Sequence, residues 1–331
     1  MDSRNRHNFP KLNGLPASFE DIKNRKEHVK TILIVHPKYK IIYDRLKETH
    51  LFSVGSNQPD GLFLSGETGV GKSTLLKDYA ESFPRKIVKG NTILPILYFQ
   101  VPIGATPKSV ASQALYKLGD PNFQKGTTVQ MTVRLLNFVK DCKVEMVIID
   151  EFQHLIDRET SNVLNNASDW VKTFMDEAGI PVVICGMPES KKIFEWNSQL
   201  DRRFCTRHLF EAFNYSTKED QIEFRSFLKN VDKELPFPEQ SQLADPILSE
   251  KFYYATKGVP FYIMKILEEA TIYAAKSGSD RLTETDLYEG YKSVTLSQRP
   301  NTNNPFNDPT FNLLNAIDSE NKANNRIGKK G

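Results

Sequence analysis

Apolar positions change rhythm several times along the chain. Residues 1–26 mix Pro, Asn, Gly and charge and predict a loosely held lead-in. From about 27 to 52 the spacing is helical: Val29, Ile32 and Leu33 recur, Pro37 punctuates, and Ile41, Ile42 and Leu46 continue. Between 53 and 214 short apolar runs alternate with helix-period stretches. GLFLSG (61–66), ILPILYF (93–99), EMVIID (145–150), PVVICG (181–186) and RHLF (207–210) read as strands, with Pro95 marking an edge or a bulge. Leu75, Leu76, Tyr79, Ala80 and Phe83 share a helix face that Pro84 stops. Thr106-Pro107 opens a helix through Val110, Ala111, Ala114, Leu115 and Leu118. Two more run through Leu135, Leu136 and Val139, and from Val163 to Met175 with Gly179 as a left-handed cap. This alternation predicts an α/β fold, a parallel sheet covered by helices on both faces.

After about 215 the strand signal stops. Ser216 to Glu219 reads as a capping box, Thr283 to Asp286 caps a last helix, and 215–298 reads as a small helical lid. From Arg299 the Asn- and Pro-rich chain predicts a flexible tail over 299–331. Its one apolar island, Phe306 to Ile317, aligns Phe311, Leu314 and Ile317 as a short helix face. The domain plan is therefore 1–52, 53–214, 215–298 and 299–331.

Composition removes several function classes. With 39% hydrophobic and 26% charged residues, the 331-residue chain has material for a core and is no disordered polymer. No apolar run nears the ~18 residues of a membrane span, and the polar N-terminus lacks a signal-peptide core, so no membrane association is expected. Cys142, Cys185 and Cys205 form no CxxC pair, which argues against a disulfide framework or thiolate zinc and suits a reducing cytoplasm. His36, His154 and His208 lack metal-ligand spacing, and Trp170 and Trp196 read as packing. The 44 Lys+Arg against 41 Asp+Glu give a formal charge of +3, which neither requires nor forbids nucleic acid.

Candidate chemistry concentrates in the α/β stretch. Gly66, Glu67, Thr68, Gly69, Val70, Gly71, Lys72 and Ser73 match GxxxxGK[ST] in full, with a strand before and a helix continuing through Thr74. Glycines let backbone N–H groups curl around phosphates, Lys72 reaches the β/γ-phosphates of ATP, and Ser73 ligates Mg2+. Asp150 and Glu151 end an apolar strand about 80 residues later. There Asp150 would hold Mg2+ mostly through water, and Glu151 would polarise the attacking water. Arg202 and Arg203, in QLDRRF, precede a short strand; either reads as an arginine reaching a neighbouring subunit's nucleotide or as a surface residue. Lys108, Lys125, Thr127 and Arg158 sit on loops or helix starts where they would meet a phosphate backbone without reading bases.

The order of these features resembles that of an AAA+ ATPase, most of all the TniB/TnsC-type regulators of transposition, including those of CRISPR-associated transposons. GETGVGKSTLL (66–76), VIIDEFQHL (147–155), IPVVICGMPE (180–189) and QLDRRF (199–204) carry the resemblance, which spans about residues 27–295. It implies a P-loop AAA+ domain with a helical lid in a bacterial cytoplasmic protein. It also implies ATP and Mg2+ as cofactors, assembly as a homo-oligomeric ring or filament on double-stranded DNA, and contact with transposase subunits. The remaining implied partner is a target-selector protein, TniQ-like with a CRISPR effector complex. Hydrolysis would reset the assembly. Two departures stand out: the strand that should end in a polar sensor ends Cys185-Gly186-Met187, and Phe261 follows GVP in the lid where many relatives carry arginine, with Lys265 one turn on. Slow hydrolysis is the expectation. The alternative readings are a P-loop ATPase of another process, replication-initiator-like or secretion-type, and an adaptor that never turns over.

Overall fold

A computed structural model describes residues 9–53, 56, 59–156, 161–294, 299 and 302–327. The chain divides into two units, one of residues 37–211 and one of residues 1–36 with 212–331. In chain order α1 (Phe19–Thr31) belongs to the second unit and α2 (Pro37–Ser53) opens the first. There follow β1 (Gly61–Ser65), α3 (Lys72–Glu81), β2 (Lys86–Val88), β3 (Asn91–Ile93), β4 (Ile96–Gln100), α4 (Pro107–Leu118) and α5 (Thr128–Asp141). β5 (Met146–Asp150), α6 (Gln153–Ile156), α7 (Ser161–Ala178), β6 (Val182–Gly186), α8 (Lys192–Trp196), α9 (Ser198–Arg203) and β7 (Thr206–Leu209) complete it.

Five strands form one parallel sheet in the order β4-β5-β6-β1-β7. β1, β5 and β6 are buried along their whole length, which is why they read as unbroken apolar runs rather than alternating ones. Their side chains join those of α4, α5 and α7 in a single core containing Phe63, Leu97, Leu115, Ile149, Phe174 and Ile184. The expected strand over 93–99 divides at Pro95. β3 turns back on β2 through Lys89 and Gly90, both at positive φ, while β4 starts beyond the proline at the sheet edge. The Pro95 carbonyl accepts from the N–H groups of Glu145 and Met146. Trp170 packs in the core against Phe174 as expected, whereas Trp196 is about half exposed.

The second unit is helical: α10 (Lys218–Glu234), α11 (Pro246–Thr256), α12 (Pro260–Ser277), α13 (Glu284–Lys292) and α14 (Leu313–Ile327). The capping box of α10 forms one position later than expected. Thr217 and Asp220 exchange the two hydrogen bonds, so Ser216 stays outside. α1 packs along α12, and Arg25 is fully buried between its Asp21 partner, two proline carbonyls and the rings of Phe9 and Phe237. The described part of the lead-in, residues 9–26, thus belongs to the helical core.

So does the segment expected as a flexible tail. Phe306 is 1% exposed against Phe252 and Tyr291, a burial that contributes about 1.5–3 kcal/mol. Arg299 donates to both carboxylate oxygens of Glu320 on α14 and to the carbonyls of Tyr254 and Ala255. The apolar face expected of Phe311, Leu314 and Ile317 is not buried as a unit: Phe311 meets Tyr254, while Leu314 is 75% exposed. No described helix is long and apolar enough to cross a membrane.

Candidate functional site: a phosphate loop beside an acidic strand tip

The sheet brings strand ends together by register. Ser65 of β1 pairs with Gly186 of β6, and Gln100 of β4 pairs with Asp150 of β5, so four carboxyl-terminal tips line one edge. Between β1 and α3 the loop Gly66–Gly71 turns at two glycines with positive φ, Gly69 (88°) and Gly71 (106°). Gly66 is required for a different reason. A Cβ there would stand 2.2 Å from the Phe210 carbonyl oxygen. Val70 is buried and holds the loop down, while Glu67 and Thr68 are exposed.

Lys72, first residue of α3, is 8% exposed and curls into its own loop. Its Nζ donates to the carbonyls of Gly66 (2.6 Å) and Glu67 (2.9 Å). Ser73 and Thr74 follow in the first turn, where unpaired N–H groups and the helix dipole favour an anion.

Asp150 is fully buried and has no cationic partner among the described residues. Its Oδ2 accepts from the Tyr98 hydroxyl (2.8 Å) and the Gln100 amide (3.5 Å), and its Oδ1 accepts from the Glu151 N–H (2.8 Å). Burial, then the Asp150 carboxylate, push the Tyr98 hydroxyl far above its ordinary range, so it stays a donor. Burial likewise pushes the Cys185 thiol well up, with Asp150 adding to it. Glu151 sits at φ 56°, a conformation that costs a non-glycine residue about 1–3 kcal/mol and recurs at functional sites. Its carboxylate accepts from the Gln153 amide (2.5 Å), with His154 Nε2 at 3.9 Å. Tyr98, Gln100 and Gln153 escaped the sequence reading; the polar residues at alternate positions 98 and 100 of an apolar strand were the available signal.

The hydroxyl of Ser73 and the carboxylate of Asp150 are hard oxygen donors, the chemistry Mg2+ takes, while Glu151 points to Gln153 instead. No group of three or more His, Cys, Asp or Glu that could hold a metal ion occurs among the described residues.

The arginines lie elsewhere. α9 abuts the start of β1, where a Cβ on Gly61 would meet the Phe204 ring and the Arg203 carbonyl. That is the amino-terminal end of the strand, opposite the phosphate loop. Arg203 is ion-paired to Asp176, and Arg207 is paired to Asp201 and lies 4.5 Å over Phe194. The Arg202 guanidinium is exposed and has no partner among the described residues.

Lys108 is exposed in the first turn of α4, after the tip of β4. Lys125 is exposed in the loop beyond α4, where Arg134 grips its carbonyl together with Asp120. Thr127 is committed locally, as its hydroxyl caps α5. Arg158 lies outside the described residues. In the lid, Lys265 is held on its own helix by Glu268 and Glu269. His36 packs against Phe213 and Phe227, a core histidine.

Parallel order, phosphate loop and acidic strand tip together define a P-loop AAA+ fold with a C-terminal helical region. The model of the bacterial TniB protein family matches residues 26–213, and the chain belongs to that family. Among solved structures it is similar to Cdc6p from Pyrobaculum aerophilum, at 14% identity and a TM-score of 0.61 over 85% of this chain and 72% of that one. The Aeropyrum pernix ORC2 protein in its ADPNP-ADP complexes follows at 15% identity and 0.58, over 80% and 71%. The Aeropyrum pernix ORC1 protein in complex with DNA gives 16% and 0.58, over 81% and 69%. At these identities the likeness is one of fold. No curated protein matches the chain.

Proposed function

We propose that this chain is an ATP-hydrolysing regulator of transposition that assembles with its own copies on duplex DNA and links a target-selector protein to the transposase. The observation that carries the reading is Lys72 at the phosphate loop beside the buried, cation-free Asp150 and the strained Glu151, in a TniB-family chain.

In this reading the loop N–H groups from Gly66 to Ser73 bind the phosphates of ATP. Lys72 exchanges two backbone carbonyls for phosphate oxygens. Ser73 and Asp150 would hold Mg2+, which when bound would supply charge neutralisation at the phosphates. Glu151 accepts hydrogen from the attacking water and aims it, and ADP and phosphate leave. Positioning and charge neutralisation supply most of the rate. Arg202, unpartnered and at the opposite end of β1 from its own loop, serves the nucleotide of a second copy; Arg203 stays with Asp176. ATP therefore joins subunits, as a ring or filament, and hydrolysis releases them.

Lys108 and Lys125, with Arg158, neutralise DNA phosphates without reading sequence, so each lost contact should lower the salt slope by roughly 0.9. The transposase, a TniQ-like selector and a CRISPR effector complex are the partners this reading names, as in the TnsC proteins of CRISPR-associated transposons. The decisive experiment images the protein with duplex DNA and a non-hydrolysable ATP analogue, and compares ATP hydrolysis by wild type and Glu151→Gln. Equal hydrolysis, or no nucleotide-dependent assembly on DNA, defeats the proposal.

A second reading, a replication-initiator-like ATPase, is favoured by the fold shared with ORC and Cdc6 proteins, one of them in complex with DNA. Reconstituted transposition that depends on this chain separates the two.

A further inference from the structure

β6 ends in Cys185-Gly186-Met187, and its backbone there makes polar connections. The Gly66 N–H, at the head of the phosphate loop, donates to the Gly186 carbonyl (3.3 Å). The next N–H, of Met187, donates to Oε1 of Gln153 (3.2 Å). Nε2 of the same amide donates to Oε2 of Glu151 (2.5 Å). Three hydrogen bonds thus run from the loop to the carboxylate. The chemistry fixes the amide's orientation, because a backbone N–H only donates and an ionised carboxylate only accepts. Gly186 makes room for this arrangement. A Cβ there would stand 3.0 Å from Gln153 Oε1 and 2.6 Å from Ser190 Oγ, a buried hydroxyl with no hydrogen-bond partner among the described residues.

We infer that Gln153 is the positioning residue for Glu151, its amide anchored to the end of β6. The left-handed backbone at Glu151 turns its carboxylate toward the following residues, and the amide fixes one oxygen there, leaving the other for water. Anchoring the amide to Met187 ties that orientation to the strand that holds Gly66. A movement of the loop on nucleotide binding therefore reaches Glu151 through contiguous bonds. The inference rests on the reading of Glu151 as the water-polarising group. A purely structural role, steadying the turn into α6, makes different demands on kinetics.

The test uses the full chain and measures ATP hydrolysis beside equilibrium binding of a fluorescent ATP analogue. Gln153→Leu should lower kcat on the order of 10–100-fold. Nucleotide affinity should stay within about twofold of wild type, since only a transition-state interaction is lost. Gln153→Glu, isosteric and still able to accept from Met187, should lose as much, and carries the test if the leucine variant folds poorly. The double variant Glu151→Gln/Gln153→Leu should be no slower than Glu151→Gln alone within about twofold, because both act through one carboxylate. Wild-type or faster hydrolysis by both Gln153 variants, with Glu151→Gln inactive, overturns the inference and leaves the function reading standing. Multiplying losses in the double variant also overturn it. Wild-type hydrolysis by Glu151→Gln would overturn the function reading and the inference with it.

Discussion

The phosphate site of the α/β unit and the buried cations of the helical unit hold their charges differently. In the helical unit Arg25 meets Asp21, Arg299 meets Glu320, and Glu268 sits between Lys26 and Lys265, while buried Asp232 and Asp286 accept from backbone N–H groups; in the α/β unit buried Asp120 meets Arg134. Lys251, 1% exposed, likewise meets Glu284 at 2.6 Å. In the α/β unit, Lys72 and Asp150 are as deeply buried and have no ion-pair partner among the described residues. Lys72 makes do with backbone carbonyls and Asp150 with a tyrosine and an amide. Removing one partner of a buried pair costs about 3–5 kcal/mol, so paired charges are bound to the fold. A buried charge held only by neutral groups contributes little to the fold and remains available to a ligand.

The largest expected effect breaks that comparison on the functional side. Lys72→Met and Asp150→Asn should each lower ATP hydrolysis by at least about 10²–10³-fold. Chemical denaturation should show their stability unchanged within about 1 kcal/mol, or raised, because an uncompensated charge has been removed. A loss of several kcal/mol in either variant would erase the distinction between these two groups of charges. On the structural side, Arg25→Ala and Arg299→Ala should each cost about 3–5 kcal/mol in the helical unit. Far-UV circular dichroism melts would register that loss, and nucleotide binding by the α/β unit should survive it.

Smaller and sharper is a pH effect. The Arg299 guanidinium beside Glu320 holds that carboxyl below its ordinary value, against the opposing pull of burial. The folded-state value is depressed, so its stabilisation is fully present above the unfolded value of about 4.5 and is lost as pH falls through the folded one. Limited proteolysis should therefore release the segment after 299 below about pH 4.5, and Glu320→Gln should release it already at neutral pH. The smallest expected change is Thr217→Ala, which removes one cap and should cost about 1 kcal/mol, read as a shifted denaturation midpoint.

Legibility in the sequence was uneven within each unit. β1, β5 and β6 were readable because strands buried on both faces are apolar throughout, and the phosphate loop was readable because its glycines and lysine are contiguous. The β2–β3 hairpin was not, since each strand has three residues, mostly exposed, with no alternation to detect. Phe306 looked stranded among Asn and Pro because what buries it, Phe252, lies 54 positions away. The capping box read at Ser216 with Glu219 closes one position later, between Thr217 and Asp220, a shift of one residue that the adjacent hydroxyl and carboxylate pairs leave open in the sequence. Gln153 stood within a string that carried the family resemblance, but nothing in the string shows that its amide reaches both Glu151 and Met187.

The docking of α1 on α12 has a consequence in time. The Leu12 N–H donates to the Asp280 carboxylate across 268 positions. During synthesis at ~5–20 residues per second, the first helix would wait roughly 13–54 s for its partner to leave the ribosome. Meanwhile residues 37–211 have been made and are free to fold. The apolar face of α1, with Val29 at its centre, is unprotected over that interval.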